Sequence, residues 1–246
     1  MTDSLTFWIL APVAVLFAGV SKAGFGSGAA FASAAVLALI LPPVQALGLM
    51  LPLLMLVDLV TLKPYWGKWR WPEARVLILG GLPGVAGGVA LFRVANDDVL
   101  RLLIGAVSLG FVIWQLWPRG QARKKMPVRA GLLAGAVAGF TSFVSHAGGP
   151  PAAVYLLSRG MGKTAYQATT VLVFWAINIA KFVPYAFLGV FTAETLRAGA
   201  LLAPFALLGA WGGVKLHHAV SERVFFALTY TLLSITGVKL IFDALF

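Results

Sequence analysis

Apolar residues dominate ten stretches of the chain, positions 6–19, 29–41, 46–62, 74–94 and 99–117, then 130–143, 151–157, 167–189, 195–216 and 224–246. The polar stretch 118–129 separates the first five from the last five. A helix rises 1.5 Å per residue and the hydrocarbon core of a bilayer is about 30 Å thick, so a full crossing takes about 20 residues. The third, fourth and fifth runs of each group can span. The first two of each group are short, and they meet at glycine-rich breaks: Ser21-Lys22-Ala23-Gly24-Phe25-Gly26-Ser27-Gly28, and Ser142-Phe143-Val144-Ser145-His146-Ala147-Gly148-Gly149-Pro150-Pro151. Lipid cannot pair free backbone groups, so a broken helix inside a membrane must be buried in protein or line a cavity. The breaks could instead be short surface loops. Lys22 and His146 among so many small residues favour broken hairpins with buried tips.

The two groups of runs resemble one another. Lys63-Pro64-Tyr65 matches Val183-Pro184-Tyr185, and Gln45-Ala46 matches Gln167-Ala168. Gly84-Val85-Ala86-Gly87-Gly88-Val89-Ala90-Leu91 matches Gly209-Ala210-Trp211-Gly212-Gly213-Val214-Lys215-Leu216, followed at the same offset by Asn96-Asp97-Asp98-Val99 and Ser221-Glu222-Arg223-Val224. Shared glycine and polar positions read as an internal duplication.

Lys and Arg set orientation. Arg119, Arg123, Lys124, Lys125 and Arg129 put the linker in the cytoplasm, and Lys63, Lys68, Arg70 and Arg75 put another loop there. Arg159, Lys163, Lys215 and Arg223 fall on the same side, with Arg93, Arg101 and Arg197 as exceptions near helix ends. Each half then has odd parity, which inverts the second copy, a plan common among secondary transporters. The expected organisation is a first transmembrane repeat at 1–117, a cytoplasmic basic linker at 118–129 and a second, inverted repeat at 130–246. The fold class is all-α and polytopic, each repeat a broken-helix hairpin plus three full transmembrane helices.

Composition agrees. Of 246 residues, 60% are hydrophobic and 11% charged, against about 25% charged in soluble domains. The formal charge of +11 could suggest nucleic acid, but the cations sit between apolar runs, where they orient a membrane protein. The absence of cysteine excludes disulfides, zinc–thiolate sites and thiol nucleophiles. Met1-Thr2-Asp3-Ser4 lacks the basic region of a signal peptide, so 7–19 reads as a retained membrane segment. Trp66, Trp69, Trp71, Trp114 and Trp117 near run ends suit interfacial belts.

Broken helices expose amide N–H groups at ends of partial positive charge, a ready site for anions. Gly24, Gly26, Ser27 and Gly28 at the first break, and Gly148, Gly149 and Pro150 at the second, are candidate substrate-binding residues. Ser21, Lys22, Ser145 and His146 would add donors. For any single glycine, close helix packing is as good an account. Gly131, Gly135 and Gly139, spaced by four, read as packing residues, as do Gly84, Gly88, Gly209 and Gly213. Ionisable groups inside a membrane are costly and mark function by default; Lys22, Asp58, His146 and Lys181 qualify, and Lys181 lies too deep in its run to snorkel easily. Asp58 could be a coupling site, although pairing with Lys63 or another cation is the simpler reading. His146 could relay a proton or make a structural hydrogen bond. Asn178, Gln45 and Gln167 read as polar glue between helices, and His217 and His218 as interfacial. No hydrolase, metalloprotease or phosphate-loop motif is present, nor a metal-ligand set.

The paired breaks, the duplicated Gly-x-x-Gly-Gly blocks and the overall size resemble the TauE/SafE sulfite exporter family of bacterial membrane permeases, over nearly the whole chain. The resemblance implies export of a small sulfur anion, sulfite or an organosulfonate such as sulfoacetate. Ala147 and the double proline at the second break depart from the family pattern and leave the substrate open. The expectation is a multi-pass inner-membrane secondary transporter with no enzymatic activity, no cofactor and no metal. Its partners are the anion, the lipid bilayer and a coupling ion, proton or sodium, and not nucleic acid. A transporter of another solute or metal ion is the alternative, or, from a different class, a membrane enzyme or scaffold.

Overall fold

The computed structural model describes residues 4–25, 30–117, 125–216 and 222–246, whose regular elements are all helices, with no strand among them. Helix α1 (Leu5–Val20) runs into a π-helical turn (Ser21–Phe25), followed by α2 (Phe31–Leu37), α3 (Pro43–Leu62), α4 (Trp71–Phe92) and α5 (Asp97–Leu116). The second half contains α6 (Val128–Ser145), α7 (Gly149–Ser158), α8 (Lys163–Phe187), α9 (Ala193–Leu216) and α10 (Glu222–Leu245). Gly26, Ser27 and Gly28, linker residues 118–124, and His217 and His218 lie outside the described residues.

Among the described residues, eight segments are long and apolar enough to cross a bilayer, including Leu5–Gly24 and Val128–Ser145. Only α2, with 7 residues, and α7, with 10, fall short. The first helix of each half is therefore longer than its apolar run. Ser21 and Lys22 extend one and Ser145 the other, and all three are buried against protein rather than lipid. The distribution of side chains is that of a membrane protein. Leu59, Leu79, Ile113, Leu133, Leu208 and Ile235 face outward while Lys22, Asp58, Asn178 and Lys181 are buried. In water this arrangement would expose apolar surface and bury charge, both at a cost; in a bilayer the exposed face is already solvated.

Glycine decides how closely the helices approach. Two of the closest pairings are α4 with α6 and α1 with α9. A Cβ built on Gly84 would lie 2.0 Å from the Ala136 carbonyl oxygen, and one on Gly139 would lie 2.1 Å from that of Gly81. In the other pair, a Cβ on Gly209 would meet the Leu16 oxygen at 2.4 Å, and one on Gly213 the Val20 oxygen at 2.6 Å. The packing role expected of Gly84, Gly139, Gly209 and Gly213 is thus a backbone-to-backbone contact with no room for a methyl group. Gly84→Ala should cost about 1–3 kcal/mol by overpacking and lower the melting temperature in detergent. Gly110→Ala, where nothing lies within 4 Å, should leave it unchanged or slightly raised.

The pairings exchange between halves: the first helix of each half packs on the fourth helix of the other, α1 on α9 and α6 on α4. A polar tie joins the halves at one end. Buried Glu73, in the first turn of α4, lies 3.4 Å from Arg159 Nε and 3.6 Å from Arg70 Nε. Arg159, just past α7, also donates to the Met126 carbonyl oxygen at 3.1 Å.

Candidate functional site

Each break ends a helix whose last carbonyls need donors. At the first, Gln167 Nε2 from α8 donates to the Lys22 carbonyl oxygen at 2.9 Å, and Tyr65 Oη donates to that of Ala23 at 3.4 Å. At the second, Lys181 Nζ donates to the Ser142 carbonyl oxygen at 2.8 Å, and Tyr185 Oη donates to that of Phe143. Tyr65 and Tyr185 come from the matching Pro-Tyr motifs, so the two halves close their broken helices with the same kind of bond. Gln167 is polar glue, as its sequence context suggested. His146 closes α6 in the left-handed conformation, φ 57°, which is uncommon for a residue with a side chain and lets the chain turn at once into α7.

The buried ionisable groups form one chain of interactions. Lys22 Nζ is 2.9 Å from Asp58 Oδ1, both side chains at most 4% exposed. Asn178 Nδ2 donates to Asp58 Oδ2 at 2.8 Å. Asp58 therefore pairs with a cation, as the simpler reading held, but with Lys22 of the break rather than with nearby Lys63. Asp58 and Asn178 each stand seven positions before the matched tyrosines, so the two halves meet through equivalent side chains. One helical turn after Asn178, the Lys181 ammonium reaches the Ser142 carbonyl oxygen at 2.8 Å, Ser142 Oγ at 3.0 Å and His146 Nδ1 at 2.9 Å. That set surrounds it with three uncharged partners, one for each proton of an ammonium. It also places a positive charge at the negative end of α6.

The histidine tautomer follows from its neighbours. A carbonyl oxygen only accepts, so His146 Nε2, 3.2 Å from the Leu47 oxygen, carries the proton, and Nδ1 accepts from Lys181. His146 is thus a neutral imidazole with both nitrogens engaged. Lys181 is in electrostatic reach of Lys22 and Asp58.

Gln167 and Lys181, which hold the two breaks, are about 21 Å apart along α8 at 1.5 Å per residue. Side chains bridge that separation. The Lys22 ammonium lies over the Phe174 ring, 5.8 Å from its centre, and a Cβ on Gly148 would sit 2.6 Å from Phe174 Cε1. One buried ring thus stands between the cation of the first break and the glycine of the second. Gly24 is pressed against Gly213, 2.5 Å from its oxygen to a built Cβ, so backbone proximity accounts for its being glycine. Ser145 Oγ donates back to the Thr141 carbonyl oxygen at 2.8 Å. Ser21 Oγ is buried and has no hydrogen-bond partner among the described residues. At the start of α7, Pro150 and Pro151 carry no N–H, and the Ala152 N–H bonds back to the Gly148 oxygen, so the amides of Gly148 and Gly149 are the donors that turn supplies. A cavity of about 280 Å³ against this break is lined by Val107, Phe111, Trp114, Thr141, Ala147 and Pro150. Its apolar wall does not suit a charged solute, and the cations lie elsewhere.

Ser142, Tyr65, Tyr185 and Phe174 do not stand out in the sequence as site residues. The two tyrosines could have been found from their matched motifs, which place one equivalent hydroxyl per half. Nothing comparable marks Ser142 or Phe174.

No curated protein matches the chain, and no solved structure does. The family model described as Sulfite exporter TauE/SafE matches residues 11–240, a span that includes both breaks and every buried ionisable residue described above. The chain is a multi-pass membrane protein that belongs to the TauE/SafE family of sulfite exporters.

Proposed function

We propose that this protein exports sulfite or a small organosulfonate across the bacterial inner membrane, by alternating access between two inverted halves. The observation that carries the reading is the burial of two lysine ammonium groups at the ends of broken helices inside a membrane bundle, Lys22 from the first break itself and Lys181 reaching from α8 to the end of α6. A cation so placed is expensive, and a transported anion is the ligand that repays it. Ser21, with its unpartnered hydroxyl, Lys22 and Gly24 would form one side of the site. Ser145, His146, the amides of Gly148 and Gly149, and Lys181 would form the other, with Pro150 fixing the turn. Asp58, shared by Lys22 and Asn178, and His146 are the groups through which a proton or sodium ion could couple.

The inverted arrangement is supported by the exchanged helix pairs, by the matched tyrosines and by the Asp58–Asn178 contact between equivalent positions. The excess of Lys and Arg supports a cytoplasmic position for the linker 118–129. Rocking of one half against the other would then open the site to each side in turn, with the Glu73–Arg159 tie closing one end.

The test is flux. Proteoliposomes loaded with sulfite should release it faster than protein-free vesicles, and a protein that leaves the rate unchanged for sulfite and for organosulfonates would refute the reading. Within that assay, Glu73→Gln should loosen the tie and shift the balance between inward-facing and outward-facing forms, read as a change in accessibility of the two sides at an unchanged substrate preference.

A further inference from the structure

We propose that Asp58 sets the charge of the anion this transporter accepts, restricting it to monoanions; the proposal rests on the anion-export reading above. It follows from counting the buried charges. Helix α1 and its π-turn contribute Lys22, α3 contributes Asp58, and α8 contributes Lys181. His146 of α6 is held as a neutral imidazole between Leu47 and Lys181. Glu73 is buried too, but it is bound to Arg70 and Arg159 at the end of the bundle. Among the described residues, two cations face one carboxylate.

The Lys22–Asp58 pair cancels internally. Lys181 has only neutral partners, Ser142 and His146, so one positive charge is left over. In a medium of low dielectric an uncompensated charge is strongly disfavoured, and a ligand bearing a single negative charge removes it. A dianion would leave the site negative by the same amount, and would meet the repulsion of Asp58 as well. Asp58 therefore acts as a specificity residue without having to touch the substrate: it uses up one of the two lysines.

Removing that carboxylate changes the count. In Asp58→Asn the amide oxygen can still accept from Lys22, but the surplus rises to two charges, which fits a dianion. In the double variant Lys22→Gln/Asp58→Asn the surplus returns to one, carried by Lys181 alone.

The experiment uses probes whose charge does not change near neutral pH, methanesulfonate at minus one and sulfate at minus two, as competitors of sulfite flux in proteoliposomes. The wild type should be inhibited by methanesulfonate at least tenfold more strongly than by sulfate. Asp58→Asn should reverse the order, and the double variant should restore it. An Asp58→Asn protein that transports with the wild-type order would overturn the proposal, as would a double variant that prefers sulfate. If Asp58→Asn does not fold, the double variant still decides, because its retained preference for methanesulfonate is required. A wild type that moves neither sulfite nor either probe would sink the export reading itself, an outcome distinct from a wild type that moves both anions equally, which would sink the valence claim alone.

Discussion

Asp58→Ala is expected to destabilise the protein by about 3–5 kcal/mol, the usual cost of stranding one partner of a buried ion pair. The Lys22 ammonium lies 2.9 Å from the carboxylate with almost no exposure, and Asn178 would lose its acceptor at the same stroke. The loss should be nearly independent of salt, because a pair away from solvent is little screened. It should be seen as a lower unfolding midpoint in detergent. Replacing both charges, as in Lys22→Met/Asp58→Leu, should recover most of the stability, since an apolar pair of similar volume is often as stable as the ion pair. A double variant no more stable than Asp58→Ala would mean that the two groups do not hold each other.

Lys181→Met should have the largest effect on transport. The side chain stays unbranched and apolar, one atom shorter, and leaves the Ser142 carbonyl oxygen, Ser142 Oγ and His146 Nδ1 without their shared donor. It also removes a buried cation that makes no ion pair with a carboxylate among the described residues. Hydrogen bonds involving a charged group contribute about 1.5–3 kcal/mol, which corresponds to about 10- to 150-fold in anion affinity. Flux of sulfite at low concentration should fall by that factor. Lys181→Arg, which keeps the charge but not the compact ammonium geometry, should retain part of it. Equal flux in wild type and Lys181→Met would remove Lys181 from the anion site.

Much of this was legible in the sequence because lipid imposes simple rules. The ten apolar runs correspond to ten helices, since backbone in a bilayer must pair with itself. The packing glycines were legible because a small residue at every fourth position marks a close helix pair, and Gly135 and Gly139 do abut α4. Lys22, Asp58, His146 and Lys181 stood out because each is costly in its setting. Their partners were harder to see. Asp58 meets Lys22 and Asn178 through packing of α1, α3 and α8, and no sequence offset states which helices adjoin. The length of α1 and α6 was also hidden. Hydropathy ends a run near the first polar residues, whereas Ser21, Lys22 and Ser145 remain helical because they face protein. Ser142 shows the difficulty well. In sequence it is one more small residue in a break, and only the arrival of Lys181 from α8 gives it a role.

The natural lack of cysteine allows the proposed site to be tested directly. Ser21→Cys would put a single thiol next to Lys22, at a position with no exposure in this structure. Vesicles holding the variant in one orientation can be treated from either face with a membrane-impermeant maleimide, with and without methanesulfonate, which does not react with thiols or maleimides. A solute site opened alternately to the two sides predicts labelling from each face, slowed at both by methanesulfonate. A thiol that is reached from neither face, or one labelled at the same rate whether or not the sulfonate is present, would contradict it.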